Sequence, residues 1–177
     1  MNILSRWAVV AVTSLLALTA CSTSIEEYKG RTPELKLEEF FSGELVAYGT
    51  VQDYSDNVIQ RFRVEMVGTW EGNKGKLEEQ FYYADGSTQE RIWHLTKTGP
   101  NTYEGRASDV DGVAVGTTAG NALNWQYTLQ VEMDGDTLAL ALDDWMYLID
   151  ENNMINRTEM SKFGVPVGDI TLYIGRQ

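Results

Sequence analysis

The chain has 177 residues, with 14 Lys and Arg against 26 Asp and Glu and a formal charge of −12 at pH 7; such a surface is repelled by nucleic acid and by anionic head groups, which excludes both as electrostatic partners. A single Cys and a single His exclude a disulfide framework and leave too few ligands for a zinc site. With 43% hydrophobic residues, five Trp and nine Tyr, the core is to be built by packing alone.

Arg6 is the sole basic residue ahead of a mostly apolar run from Trp7 to Leu18, a run too short to span a bilayer and built like an export signal. Leu18-Thr19-Ala20-Cys21 then leads small residues up to the only cysteine, and it resembles the lipobox of bacterial lipoproteins. The resemblance implies diacylation of Cys21, cleavage before it and acylation of the new amine. The competing reading is an uncleaved anchor with a free thiol, a liability in an oxidising compartment. Each buried methylene contributes about 0.8 kcal/mol, and several acyl chains pass the two-chain threshold for stable attachment to a membrane. Ser22 follows the cysteine in place of the Asp that holds lipoproteins at the inner membrane, so in a cell with two membranes the sorting rule implies the outer membrane, periplasmic face.

Residues 1–20 are thus expected to be a signal peptide, 21–34 a lipidated tether and 35–177 one domain. Without Arg6 the chain keeps 13 basic against 26 acidic residues, a formal charge of −13. Ser22 to Pro33 is polar, punctuated by Gly30 and Pro33 and without a period, as a tether should be. Pro33 to Phe41 predicts a short N-terminal helix with Leu35, Leu37, Phe40 and Phe41 as its apolar contacts, placed to plug or cover something.

Beyond Ser42 no window holds a 3.6-residue period for three turns, whereas alternation punctuated by turn residues recurs throughout. Strands are expected at Gly43 to Asp53, Val58 to Trp70, Lys76 to Tyr83, Thr88 to Lys97, Thr102 to Ser108 and Val113 to Ala119. In the second, Phe62, Val64, Met66 and Trp70 face one way and Arg61, Arg63 and Glu65 the other. Asp85-Gly86 between alternating runs is a strong hairpin signal. The clearest alternation puts Leu123, Trp125, Tyr127, Leu129 and Val131 on one face, with Asn124, Gln126, Thr128, Gln130 and Glu132 opposite, so this strand has one wet and one dry side. Thr137 to Leu142 follows, and Met154 to Phe163 and Asp169 to Ile174 close the series.

Such a run of short strands with hairpin links and no crossover helix predicts an all-β, antiparallel up-and-down β-barrel of about 8–10 strands, because a sandwich would need long Greek-key connections. A barrel of this size is either filled by side chains or holds one small ligand. The architecture resembles the lipocalins and their calycin relatives. Phe41-Ser42-Gly43-Glu44-Leu45 occupies the place of the lipocalin opening motif, aromatic-x-Gly-x-Trp, with Leu45 where the Trp would stand. Ala47-Tyr48-Gly49, Gly68-Thr69-Trp70, Asp85-Gly86, Trp93, Asp109 to Gly116, Gly120-Asn121-Ala122, Asp143 to Tyr147 and Asn156-Arg157 together are similar to an uncharacterised family of proteobacterial lipoproteins, domain of unknown function 3833. The family implies a lipobox and a lipocalin-like barrel, but no activity.

No catalytic residues, cofactor or metal site are assigned. His94 shares a strand face with Ile92 and Thr96, opposite Arg91, Trp93 and Leu95, and no Gly-x-Ser-x-Gly elbow presents a serine to it. Asp109-Val110-Asp111-Gly112 lacks the later ligands of a calcium loop and reads as a turn. Asp144 has two readings. If the Leu138, Leu140, Leu142 face continues inward, it is a buried carboxylate of raised pKa with Arg157 as candidate partner, an anchor for a ligand's polar group or an acid catalyst. If the strand ends at Leu142, it is solvated.

Trp70, Phe81, Trp93, Trp125, Tyr127 and Trp145 are candidate ligand-lining residues whose alternative is core packing. Gly49, Gly68, Gly105, Ala107, Val113 and Val115 lie where a filled barrel prefers bulk, which argues for a modest pocket. Three functions follow: a noncatalytic membrane-anchored protein binding a fatty acid, lysolipid or other small apolar ligand; an envelope interaction or assembly factor with a solid barrel and a protein partner; or an enzyme using Asp144 inside the barrel.

Overall fold

The computed structural model describes residues 23–133 and 135–177; Cys21, the lipobox and the export signal lie outside the described residues. Ten antiparallel strands follow one another: β1 (Gly43–Asp53), β2 (Val58–Glu71), β3 (Lys74–Tyr83), β4 (Thr88–Lys97), β5 (Thr102–Arg106), β6 (Val110–Ala119), β7 (Ala122–Met133), β8 (Asp136–Leu148), β9 (Asn153–Lys162) and β10 (Val165–Arg176). Each pairs with its chain neighbours, and β1 pairs with both β2 and β10, so the sheet closes into an up-and-down barrel. Leu45 lies opposite Arg176 on one side and Met66 on the other. Closure leaves no edge strand among the described residues to template aggregation.

The expected strands are present, most within a few residues of their predicted ends, and β8 is the informative exception. It runs on through Asp143 and Asp144 to Leu148, where alternation had been followed only to Leu142. Leu140, Leu142 and Asp144 are buried, while Ala141 and Asp143 are exposed. The ladder explains the extension: Trp125 lies opposite Asp144 and Leu123 opposite Met146, so β7 holds β8 in register after its apolar pattern is interrupted.

One end of the barrel is closed by the N-terminal segment. The predicted helix from Pro33 to Phe41 contracts to one turn, α1 (Leu37–Phe40), preceded by a cis Thr32-Pro33 bond. Leu35 is not helical, because its N–H is bonded to the carbonyl of Gly120. Leu35, Leu37, Phe40 and Phe41 are all buried, which is the apolar contact set expected of a plug. Glu38 fastens the plug to the wall: it accepts from the Tyr103 hydroxyl at 2.8 Å and pairs with Lys97. Trp70 donates its indole N–H to the carbonyl of Phe41 at 3.0 Å.

The stretch read as a tether is docked from its single 3₁₀ turn onward. Ser24 caps a single 3₁₀ turn at Ile25–Tyr28. Tyr28 then packs against Trp145 and Tyr147, with ring centroids 5.9 and 5.5 Å away.

Small residues make room for close packing. A Cβ on Gly68 would sit 2.0 Å from the Phe41 carbonyl oxygen, and one on Gly116 would sit 2.1 Å from the Trp125 ring, which also crosses Gly105. These glycines admit the plug and the Trp125 indole rather than opening a pocket, and Val115 points to solvent.

Candidate functional site

The barrel interior is not solid. A cavity of about 1170 Å3 extends from Leu37 and Phe41 at the plug to Gln52, Ile59, Ser87 and Lys162 at the opposite, open end. Its size is above that of most drug-sized ligand sites, and most of its lining is apolar. Strand alternation sends one side chain in two inward, and these strands supply aromatic and aliphatic residues at the inward positions. Near the plug, Trp93 meets Trp125 edge-on at 5.8 Å and Tyr127 at 5.4 Å. Towards the mouth, Leu140, Leu142 and Met160 pack with Val51, Leu129, Val167 and Ile170.

Two polar groups interrupt this apolar wall. The first is built on β3, β4 and the β5–β6 turn. Glu79 alternates with Leu77 and Phe81, and Arg91 with Trp93 and Leu95, so both turn inward as cross-strand partners. Arg91 is forked onto Asp109 through Nε at 2.9 Å and Nη2 at 2.8 Å, while its Nη1 stays 3.6 Å from Glu79 Oε2. Gln89 donates to Asp109 and accepts from the Tyr83 hydroxyl. Arg91 also lies 5.1 Å from the Phe81 ring centroid, a cation–π distance.

Burial drives the electrostatics here. It raises the Glu79 carboxyl to about 7, with Arg91 opposing the rise and Asp109 adding to it. Burial also opposes the charge on Arg91, but Glu79 and Asp109 more than offset that and hold the guanidinium protonated. Glu79 Oε2 is buried and accepts no hydrogen bond among the described residues.

The second group lies on β8 and β9. β3 and β8 are five places apart around the ring of ten, so the two groups face one another across the cavity. Asp144 is 5% exposed and accepts a short hydrogen bond from the Asn156 side-chain amide, with Thr158 opposite it in the ladder. Burial lifts its carboxyl to about 7 against the pull of Asn156 and Thr158, and Asp143 and Glu79 push the same way. Tyr127 is raised too, first by burial and then by Asp144.

Of the residues singled out from the sequence, Phe81, Trp93, Trp125, Tyr127 and Asp144 line this cavity. Three do not. Trp70 is turned to the plug, packed over Gly75. Trp145 points outward, since the alternation that turns Asp144 in turns its neighbour out; its indole stacks with Tyr147 and donates to Asp143. Arg157 is likewise outward on β9, 72% exposed and 3.8 Å from Asp169. It is no partner for Asp144, whose neighbour on that strand is Asn156.

His94 is exposed on the outer wall. Glu79, Arg91 and Asp109 were missed. The first two had a usable signal, since each alternates with bulky apolar residues; Asp109 sits in a turn, where no period reports direction.

The chain belongs to the family described as "Protein of unknown function (DUF3833)", which it matches over residues 15–176. A comparison with curated proteins gives no match. Among solved structures, it is similar to an S-type phycobiliprotein lyase, CPES, from Guillardia theta, with a TM-score of 0.60 at 10% identity over 88% of this chain and 98% of that one. At that identity the likeness is one of fold, and it agrees with the lipocalin-like barrel.

Proposed function

We propose that this protein is a noncatalytic carrier that holds one small, largely apolar ligand inside the barrel. The observation that carries the reading is the cavity itself: a folded barrel that fills its interior is more stable than one that leaves apolar walls unpacked. The likeness in fold to a phycobiliprotein lyase is consistent with a barrel of this kind. A solid-barrel assembly factor does not account for this volume. The direct check is saturable uptake of a neutral fluorescent probe, N-phenyl-1-naphthylamine, by the full-length chain. Ile170→Trp, which intrudes on the cavity near its mouth, is expected to lower probe affinity about tenfold or more.

The carrier reading includes attachment through acylated Cys21 to the periplasmic face of the outer membrane, supported by Leu18 to Cys21 and by Ser22. Tyr28 and Arg31 dock against the Gly120 turn at the closed end. An anchor three residues upstream of Ser24, a reach of about 10 Å at most, would hold that end near the membrane and turn the mouth away from it. Cys21→Ser is expected to abolish the acyl mass and release the protein into the soluble fraction. An unchanged mass and an unchanged location would sink the anchoring half of the reading alone.

A further inference from the structure

We propose that the cavity selects ligands whose polar group donates hydrogen bonds and bears no negative charge, a long-chain amine being the simplest, and rejects the matching carboxylic acid. This rests on the carrier reading and narrows its ligand class. A fatty acid is the occupant first suggested by an apolar barrel interior, and the charges on this wall argue against it.

The cavity lining carries four carboxylates, Glu79, Asp109, Glu132 and Asp144, against two cations, Arg91 and Lys162. Neither cation stands unengaged inside the barrel. Arg91 gives Nε and Nη2 to Asp109 and leaves Nη1 beside Glu79. Lys162 stands at the rim, 5.7 Å from the Phe163 ring centroid.

An acid whose head group passes the rim Lys162 into the barrel would therefore bury a further negative charge among carboxylates without a counterion inside. Donors meet the opposite situation. Glu79 Oε2 accepts no hydrogen bond among the described residues, and Asp144, buried on the facing wall, is met by the uncharged Asn156 amide and Thr158 hydroxyl. An ammonium placed between the walls makes a charge-assisted bond to either carboxylate. It also favours the ionised form of the acid it meets, which burial otherwise holds partly protonated.

Decylamine, decanol and decanoic acid share one apolar tail and differ in the head group. Each is titrated into the full-length chain at pH 7.5, with Trp93 and Trp125 fluorescence as the readout. Decylamine is expected to bind about tenfold or more tightly than decanoic acid, as a charge-assisted hydrogen bond allows, and Asp144→Asn or Glu79→Gln is expected to narrow that gap. Decanol binding together with decanoic acid at least as tight as decylamine would overturn the proposal and leave the carrier reading standing. Failure of all three probes to bind would overturn both.

Discussion

Glu79 and Arg91 are cross-strand partners, yet the guanidinium closes on Asp109 at 2.8 Å and leaves Glu79 at 3.6 Å. The turn carboxylate takes the guanidinium edge, with Nε within 3.1 Å of both its oxygens and Nη2 2.8 Å from Oδ2, while the ladder neighbour meets only Nη1. Glu79 is left buried beside a cation that is already shared, which is why burial wins and its carboxyl rises to about 7.

Removing the shared cation strands two carboxylates in the wall. Arg91→Met is expected to cost about 3–5 kcal/mol of stability at pH 8, the range for breaking a buried pair from one side. The loss shrinks in acid, where Glu79 is neutral. Urea denaturation at pH 5 and pH 8 measures it, and a change of less than about 0.5 kcal/mol, the level of an ordinary surface substitution, would show that the cluster is solvated.

Asp144 sets a pH dependence of the opposite sense from a salt-bridged acid. Its folded pKa of about 7 lies above the ordinary carboxylate value, so between roughly pH 4 and pH 7 the folded protein holds a proton that the unfolded chain has lost. The stability of the neutral form is fully present in acid and is lost as pH rises through 7. Asp144→Asn is neutral at every pH. Its melting temperature should therefore match the parent only near pH 3.5, below the unfolded carboxyl's pKa, and exceed it at pH 8.5 by about 3–8 °C, as expected for a gain of a few kcal/mol in a chain of this size. Parallel melting curves at both pH values would mean that water reaches the carboxylate.

The plug is seated through Gly68. Gly68→Ala places a methyl where the Phe41 carbonyl stands, and because the obstacle is backbone the plug must shift as a unit. About 1–3 kcal/mol of destabilisation is expected, typical of overpacking, with faster hydrogen exchange at the Phe40 and Phe41 amides. Gly72→Ala, where nothing stands within 4 Å but φ is +60°, controls for the general cost of losing a glycine. Equal exchange at Phe40 and Phe41 in the two variants would show that the plug does not bear on Gly68.

The strand series was legible because wet and dry residues alternate cleanly between turn residues, as from Leu123 to Val131, and because Asp85-Gly86 leaves little choice of connection. Closure was legible only as a preference, since pairing of β1 with β10 joins residues at opposite ends of the chain. β8 shows where pattern reading stops. Two successive acids end the apolar signal although the ladder to β7 continues, so the direction of Asp144 depended on a partner strand. The same rule was not carried one residue further to Trp145, whose aromatic character suggested a lining role that its parity denies. The charged wall was half legible: Arg91 was placed with Trp93 and Leu95, but its inward charge had no partner in the sequence until the fold delivered Asp109.

The carrier account is tested most directly by native mass spectrometry of the full-length chain, recovered from its host and compared before and after organic extraction. The account predicts a reproducible adduct of one small molecule per chain that extraction removes and that Ile170→Trp reduces. A bare mass that stays bare when decylamine and decanol are supplied would contradict it.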